Sequence, residues 1–209
     1  MATYIIVAIL AYCLGSISFS VLISKKLAGF DVREKGSKNA GSTNVLRTVG
    51  KKAAALTLIC DILKGVVAVL IALLLGNIVE GTDKALLVQI AALFAVVVLG
   101  HTFPVFFKFK GGKGVATALG VLFVINWQIA LICLVFALLL MVITKMVSVG
   151  SLAAAILFPV LTIFIHDNYI AEGSYLVFGI LMAAFVIYNH RTNIKRLATG
   201  TENKISFKK

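Results

Sequence analysis

Long apolar runs set the strongest limit on what this chain can fold into. They cover residues 4–24, 52–76, 84–107, 115–144, 151–166 and 174–189. A membrane-spanning helix needs about 20 mostly apolar residues, and several runs reach that length. They lack the apolar–polar alternation of barrel strands, and only 13% of the residues are charged, about half the usual share in soluble domains. The sequence therefore predicts an all-α integral membrane protein, a polytopic helical bundle with one membrane-embedded domain over residues 1–209.

The segments between the runs differ sharply in charge. Segments 25–52 and 108–113 and the C-terminal tail are basic, whereas segments 77–84 and 167–173 each carry two acidic residues and at most one cation. Basic loops stay on the cytoplasmic side of a membrane. The pattern therefore predicts that the basic segments are cytoplasmic and that the acidic segments are on the opposite side.

The run 115–144 has basic segments on both sides, so it must cross the membrane an even number of times. We expect two short spans that reverse near Asn126 and Trp127. The predicted total is seven transmembrane helices, with the N-terminus outside and the C-terminus in the cytoplasm. The first run is interpreted as a retained span because basic residues do not precede it.

The net charge of +12 also raises the alternative of nucleic-acid binding. The cations lie next to the membrane runs, where topology explains them and where they attract anionic lipid head groups. We therefore expect membrane lipids as partners and no nucleic acid. The three cysteines are isolated within apolar runs, and the sequence predicts no metal site and no cofactor.

Residues 36–47, "GSKNAGSTNVLR" and here called the first loop, are unusually polar for this chain. Glycines let backbone N–H groups converge on an anion, hydroxyls add donors, and the arginine fork fits two phosphate oxygens. The alternative is a solvated turn; a nucleotide P-loop is disfavoured because Ser42 stands where its lysine belongs. The candidate ligand-contacting residues are Gly36, Ser37, Gly41, Ser42, Thr43, Asn44 and Arg47.

Residues 108–114, here called the second loop, place Gly111, Gly112 and Gly114 around Lys113. A helix is predicted to begin directly afterwards, and the N–H groups at a helix start attract anions. A plain basic turn is the alternative. Three glycines around one lysine favour phosphate binding.

Two further polar stretches follow, and topology places all four on the same side of the membrane. Ser148 and Ser151 open a span one helical turn apart, where the alternative is an ordinary N-cap serine. His190, Asn193 and Arg196 recur at spacings that share a helix face. Histidine is suited to proton transfer near neutral pH, although a structural hydrogen-bonding role is the alternative.

Asp61 and Lys64 lie within an apolar run at positions i and i+3. Charges inside a membrane are costly and are usually paired or functional. We expect a structural ion pair that supports the site, rather than a catalytic pair. His101 is interpreted as a helix-end or packing residue, and His166 is given no role.

A phosphate-binding face at the membrane surface suits an enzyme that joins a phosphorylated substrate to a lipid, or an anion transporter. Transporters usually place binding groups near the bilayer midplane on broken helices within repeats. Here the polar stretches lie on one side of the membrane and no repeat is evident. The enzyme is therefore favoured.

Several motifs also resemble those of the bacterial acyl-phosphate-dependent glycerol-3-phosphate acyltransferases, the PlsY family. They are "GSIS", "GSKNAGSTNVLR", "DILKG", "GHTFPVFFKFKGGKGVATALG", "SVGSL" and "HRTNIKRLATGTE". The chain departs from the usual family pattern at Ser18, Lys38 and Ala40. The acyl-thioester-dependent HxxxxD pattern is missing, because Phe106 and Lys195 stand five positions after His101 and His190.

The resemblance implies transfer of a fatty acyl group from acyl phosphate to the 1-hydroxyl of glycerol 3-phosphate. The products are lysophosphatidic acid and phosphate, at the start of phospholipid synthesis in the bacterial cytoplasmic membrane. It also implies seven spans, a cytoplasmic active site and an upstream enzyme that forms acyl phosphate. By resemblance, the pocket is lined by Ser37, Arg47, Lys113, Ser151, His190 and Asn193.

Overall fold

The computed structural model describes residues 2–80, 95–165 and 172–205. These residues form helices, two short 3-10 turns (Val32–Glu34 and Val105–Phe107) and loops, with no β-strand among them. This confirms the all-α prediction. The helices are α1 (Ala2–Gly15), α2 (Phe19–Ala28), α3 (Ser42–Thr48), α4 (Lys51–Glu80), α5 (95–102), α6 (Val115–Ile125), α7 (Trp127–Thr144), α8 (Val147–Phe164), α9 (Glu172–Asn189) and α10 (Arg191–Ala198).

Four described segments are long and apolar enough to cross a membrane: Ile5–Ala28, Lys51–Leu75, Trp127–Thr144 and Val147–Phe164. Shorter apolar helices cover Ala95–Phe107, Val115–Ile125 and Tyr175–Asn189. Large apolar side chains on these helices are widely exposed, for example Leu74 at 61% and Ile143 at 74%. Such surfaces suit a lipid environment, so the protein is a multi-pass membrane protein. The count of seven spans and the orientation of the termini stay predictions.

Part of the predicted organisation lies outside the described residues. The first part of run 84–107, most of the two acidic segments and His166 belong to this group. The described chain forms two compact units, Met1–Ile125 and Asn126–Lys209.

In the first unit, α4 packs against α1, α2, α3 and α6. Glycines allow the closest contact between α4 and α6. A Cβ atom at Gly65 would overlap the Thr117 carbonyl, and one at Gly120 would overlap the Ile62 carbonyl. Small residues at membrane helix contacts let backbones approach closely and gain van der Waals packing. This contact fixes the helix that follows the second loop.

The run predicted over residues 4–24 lies within one candidate span, Ile5–Ala28, and that span is divided into two helices. Helix α1 ends at Gly15 and α2 begins at Phe19. The break leaves backbone carbonyls without helical partners, which is costly inside a membrane. The buried Lys64 ammonium donates to the Gly15 and Ile17 carbonyls, each at 2.9 Å. Lys64 therefore stabilises a helix break that lies far away in sequence.

In the second unit, α7, α8 and α9 pack in sequence order, and α10 follows α9. The predicted division of run 115–144 into two helices is confirmed, because α7 begins after Asn126. The Asn126 side chain caps α7 by accepting from the Ile129 N–H at 3.0 Å. Helices α8 and α9 meet where the Phe158 and Tyr175 rings pack edge to face at 5.8 Å.

Candidate active site

The side chain of Asn44 organises the first loop. Its amide nitrogen donates to the backbone carbonyls of Val32 (2.8 Å), Lys35 (3.0 Å) and Asn39 (3.1 Å). Its Oδ1 accepts from the Ser37 N–H at 2.9 Å. Asn44 is buried and both of its amide hydrogens are used within the protein. Asn44 therefore has a scaffold role in the first loop, and its contact with a ligand stays a prediction.

The glycines of the first loop serve its backbone shape. Gly36 has φ +59°, and a Cβ atom there would overlap Asn44 Oδ1. Gly41 adopts an extended conformation directly before α3. These positions hold the chain in a tight turn around the Asn44 side chain.

Four other predicted residues of the first loop are at least partly accessible. Ser37 and Arg47 are exposed, and Ser42 and Thr43 are partly exposed in the first turn of α3. Arg47 lies in the last turn of the same short helix. Two hydroxyls and a guanidinium are thus carried by one element of seven residues.

The second loop is held against the end of α5 by its own backbone. The Gly111 N–H donates to the Thr102 carbonyl and the Gly112 N–H donates to the His101 carbonyl, each at 3.1 Å. A Cβ atom at Gly112 would overlap the Nε2 atom of the His101 ring, and Gly114 has φ +85°. Glycine is therefore required here by close contact and by backbone conformation.

Lys113 lies between these glycines and is partly buried. Helix α6 begins at Val115, as the sequence predicted. Lys108 and Phe109 adopt left-handed backbone conformations, with φ of 57° and 56°. Such conformations are unusual for residues other than glycine. They turn the chain from the 3-10 turn Val105–Phe107 into the glycines of the second loop.

Arg33 connects the segment just before the first loop to the second loop, a role that the sequence did not reveal. Its Nη1 donates to the Phe107 carbonyl at 2.7 Å and to the Lys110 carbonyl at 3.1 Å. Asp31 holds the other side of the guanidinium, with Nη2–Oδ2 at 2.7 Å and Nε–Oδ1 at 3.0 Å. The hydrogen bonds from Arg33 keep the pKa of the Asp31 carboxyl below its ordinary value, although burial opposes this effect. Asp31 therefore stays ionised near neutral pH and remains an anionic partner for Arg33.

The loops also contact each other through the backbone. The Ala40 N–H donates to the Gly111 carbonyl at 3.4 Å. The two glycine-rich basic loops, which are about 70 residues apart in sequence, are thus parts of one structure within the first unit.

Asp61 and Lys64 form the buried pair expected from their spacing, with Nζ and Oδ1 3.1 Å apart. His101 Nδ1 lies 3.5 Å from the same Asp61 oxygen. All three side chains are less than 10% exposed. His101, interpreted from the sequence as a packing residue, thus belongs to a charged cluster beneath the second loop.

Glu202 is the centre of the polar cluster in the second unit, and sequence reasoning missed it. Its Oε1 accepts from Ser148 Oγ at 3.0 Å and from Asn193 Nδ2 at 2.7 Å. Its Oε2 accepts from Arg196 Nε at 2.8 Å. Burial raises the pKa of Glu202, but the hydrogen bonds from Arg196, Asn193 and Ser148 together lower it below the ordinary value. Ser148 and Arg196, predicted to bind phosphate, are thus bound to a carboxylate.

His190 caps α10 and is buried. Its Nδ1 lies 2.8 Å from the Val186 carbonyl. Because a carbonyl only accepts, Nδ1 carries the hydrogen, and in the neutral ring Nε2 is the basic nitrogen. Ser151 is buried one turn after Ser148 on α8.

These features define a polytopic helical membrane protein with two glycine-rich basic loops bound to each other. The sequence pattern of the glycerol-3-phosphate acyltransferase family matches residues 5–200, so the chain belongs to this family and is an acyltransferase. A glycerol-3-phosphate acyltransferase of Clostridioides difficile (strain 630) is 47% identical, over 99% of this chain and 98% of the relative. One of Thermoanaerobacter sp. (strain X514) is 42% identical, over 98% and 96%.

Two solved structures are similar over nearly the whole length. The crystal structure of PlsY (YgiH), an integral membrane glycerol 3-phosphate acyltransferase, in its glycerol 3-phosphate form has a TM-score of 0.83 and 39% identity. The similarity extends over 97% of this chain and 96% of the PlsY chain. The lysophosphatidic acid form of PlsY has a TM-score of 0.81 and 37% identity, over 97% and 95%.

Proposed function

We propose that this enzyme transfers a fatty acyl group from acyl phosphate to the 1-hydroxyl of glycerol 3-phosphate. The products are lysophosphatidic acid and inorganic phosphate. The acceptor and the product are supported by the PlsY structures, which are described as glycerol 3-phosphate and lysophosphatidic acid forms. The donor is supported by the missing HxxxxD pattern in this sequence. An enzyme that forms acyl phosphate would then act immediately upstream.

The joined pair of glycine-rich basic loops is the observation that carries this proposal. Both substrates bear a phosphate group. In the first unit the Ala40–Gly111 hydrogen bond links the two basic loops, and Arg33 ties the segment before the first loop to the second loop. We assign Arg47 and Lys113 to the phosphate groups, with Ser37, Ser42 and Thr43 as additional donors. Arginine and lysine are suited to phosphate through bidentate contact and through a compact positive charge.

The reaction does not need a covalent intermediate with the protein. The acceptor hydroxyl attacks the donor carbonyl carbon, a new ester C–O bond forms, and the anhydride C–O bond breaks to release phosphate. Because phosphate is a good leaving group, correct placement of the hydroxyl supplies much of the rate. Arg47 and Lys113 stabilise the negative charge on the departing phosphate, and backbone N–H groups of the glycine loops stabilise the oxyanion.

The hydroxyl proton has two acceptors in this proposal, His190 and a phosphate oxygen of a substrate. The Nδ1 contact with the Val186 carbonyl supports His190, because it leaves Nε2 as the basic nitrogen of the neutral ring. Asn193 and Ser151 are assigned to substrate binding by resemblance. Glu202 then acts indirectly, since it fixes the Asn193 side chain.

The proposal places the enzyme in the bacterial cytoplasmic membrane, with seven spans, the N-terminus outside and the active site facing the cytoplasm. The concentration of lysine and arginine in the first loop, the second loop and the C-terminal region supports this orientation. The donor's acyl chain would lie among the apolar helices while its phosphate occupies the loops.

The experiment that tests the donor uses purified enzyme in detergent or lipid with glycerol 3-phosphate. Lysophosphatidic acid formation is measured with palmitoyl phosphate and, in parallel, with palmitoyl-CoA. We expect product with palmitoyl phosphate alone. Equal or faster turnover with palmitoyl-CoA would contradict the proposed donor.

A further inference from the structure

We propose that His101 is a positioning residue for the second loop, with its ring oriented by Asp61. This inference rests on the proposed function, because it gives His101 the task of holding Lys113 in its phosphate-binding place. His101 does not itself touch the substrate in this account. It links a charged cluster within the membrane to the backbone of the loop.

The cluster has a fixed arrangement of charges. Lys64 directs its ammonium group to the Gly15 carbonyl, the Ile17 carbonyl and Asp61 Oδ1, at 2.9, 2.9 and 3.1 Å. An ammonium group has three donors, so these contacts use all of them. Lys64 is thereby held by the helix break and neutralises the buried Asp61 carboxylate. The same carboxylate oxygen lies next to His101 on α5.

Asp61 Oδ1 also lies 3.5 Å from His101 Nδ1. This distance is long for a hydrogen bond, but the attraction between buried groups of this kind is strengthened by the low local dielectric. A carboxylate only accepts, so it favours the ring form with the hydrogen on Nδ1.

The other side of His101 contacts the second loop. The His101 carbonyl accepts from the Gly112 N–H at 3.1 Å, and the ring Nε2 is so close to Gly112 that a Cβ atom there would overlap it. Lys113 is the next residue. A rotation of the ring would push directly on Gly112, so the Asp61 contact that fixes the ring also fixes the backbone that carries Lys113.

A pair of substitutions separates positioning from packing. His101→Gln keeps an amide group that reaches the position of Nε2 beside Gly112, whereas His101→Leu has no atom at that position. The matched control is Thr57→Val, since Thr57 is fully buried one turn before Asp61 and its hydroxyl only bonds the Ala53 carbonyl. For each variant, we would measure KM for both substrates, kcat and the melting temperature in detergent.

We expect His101→Leu to raise the KM of one substrate about tenfold, equivalent to about 1.4 kcal/mol, with kcat changed less than about threefold by the same scale. That substrate should be the one whose KM rises in Lys113→Arg. His101→Gln should raise that KM less than His101→Leu, because it keeps a group beside Gly112, and Thr57→Val should stay close to the wild type. If His101→Leu does not fold, His101→Asn replaces it, because its shorter side chain also leaves the Nε2 position empty and keeps a polar group near Asp61.

Equal KM values in His101→Leu and the wild type would overturn the inference, as would equal increases in the Leu and Gln variants. Failure of the proposed function looks different. In that case Lys113→Ala itself would retain normal turnover, whatever the His101 variants do. Loss of activity in Lys113→Ala with unchanged KM values in both His101 variants would reject only the positioning role.

Discussion

Replacing Arg33 with alanine removes four hydrogen bonds, two to Asp31 and two to the carbonyls of Phe107 and Lys110. The two carbonyl bonds are the ones that join the first-loop region to the second loop. Arg33→Ala should therefore loosen the second loop without disturbing the transmembrane helices. The effect should appear in substrate use before it appears in global stability.

The magnitude follows from those two bonds. A hydrogen bond with one charged partner contributes about 1.5–3 kcal/mol, so two at the low end contribute about 3 kcal/mol. The Arg33 side chain is 20% exposed, and solvent replaces part of the loss, which leaves roughly 2 kcal/mol. At 1.4 kcal/mol per factor of ten, this predicts a fall in kcat/KM of about thirtyfold.

The assay measures kcat/KM for glycerol 3-phosphate with palmitoyl phosphate as donor, together with the melting temperature. Lys35→Ala is the matched control, because it removes one positive charge from the same segment while Lys35 only covers the Phe30 ring, at 3.9 Å. Arg33→Lys should fall between Arg33→Ala and the wild type, since one ammonium cannot reproduce the planar fork. Equal losses of kcat/KM in Arg33→Ala and Lys35→Ala would refute the reasoning. They would mean that Arg33 acts only through its positive charge.

Other predictions follow from the remaining clusters. Lys113→Ala and Arg47→Ala should each abolish acyl transfer while the protein stays folded in detergent; near-normal turnover in either would reject the phosphate assignment. Asp61→Asn breaks a buried ion pair and should destabilise the protein by about 3–5 kcal/mol, measured as the free energy of unfolding in denaturant. Glu202→Gln should lower the melting temperature near neutral pH. In the folded protein the pKa of Glu202 is below its ordinary value of 4.5. The ionised Glu202 carboxylate therefore stabilises the fold fully at pH values above 4.5, and this stabilisation is lost as the pH falls through the folded-state pKa. The gap in melting temperature between wild type and Glu202→Gln should therefore narrow on acidification, and a constant gap would contradict this.

Features that depend on local sequence could be predicted well. The all-α architecture, the helix start at Val115 and the division near Asn126 follow from apolar runs and their interruptions. The pairing of Asp61 with Lys64 follows from helical spacing alone. In each case the signal lies within a few residues of the structure that it produces.

Features that depend on distant contacts could not be predicted in the same way. The break between α1 and α2 falls at Ser16, Ile17 and Ser18 and is stabilised by Lys64, about 50 residues further along the chain. In the sequence, Arg33 is one of many cations that the positive-inside pattern explains. Its specific role comes from its bonds to Phe107 and Lys110, more than 70 residues away. Glu202 is a single acidic residue in a basic tail, and its importance comes from the three side chains that meet on it.

The central claim is that acyl transfer from acyl phosphate to glycerol 3-phosphate is one coupled reaction on this protein. The most direct measurement determines phosphate release and lysophosphatidic acid formation in the same sample of purified enzyme with palmitoyl phosphate, with and without glycerol 3-phosphate. We predict equal amounts of both products when glycerol 3-phosphate is present and no phosphate release when it is absent. Phosphate release without the acceptor, or no product in a folded sample, would contradict the account.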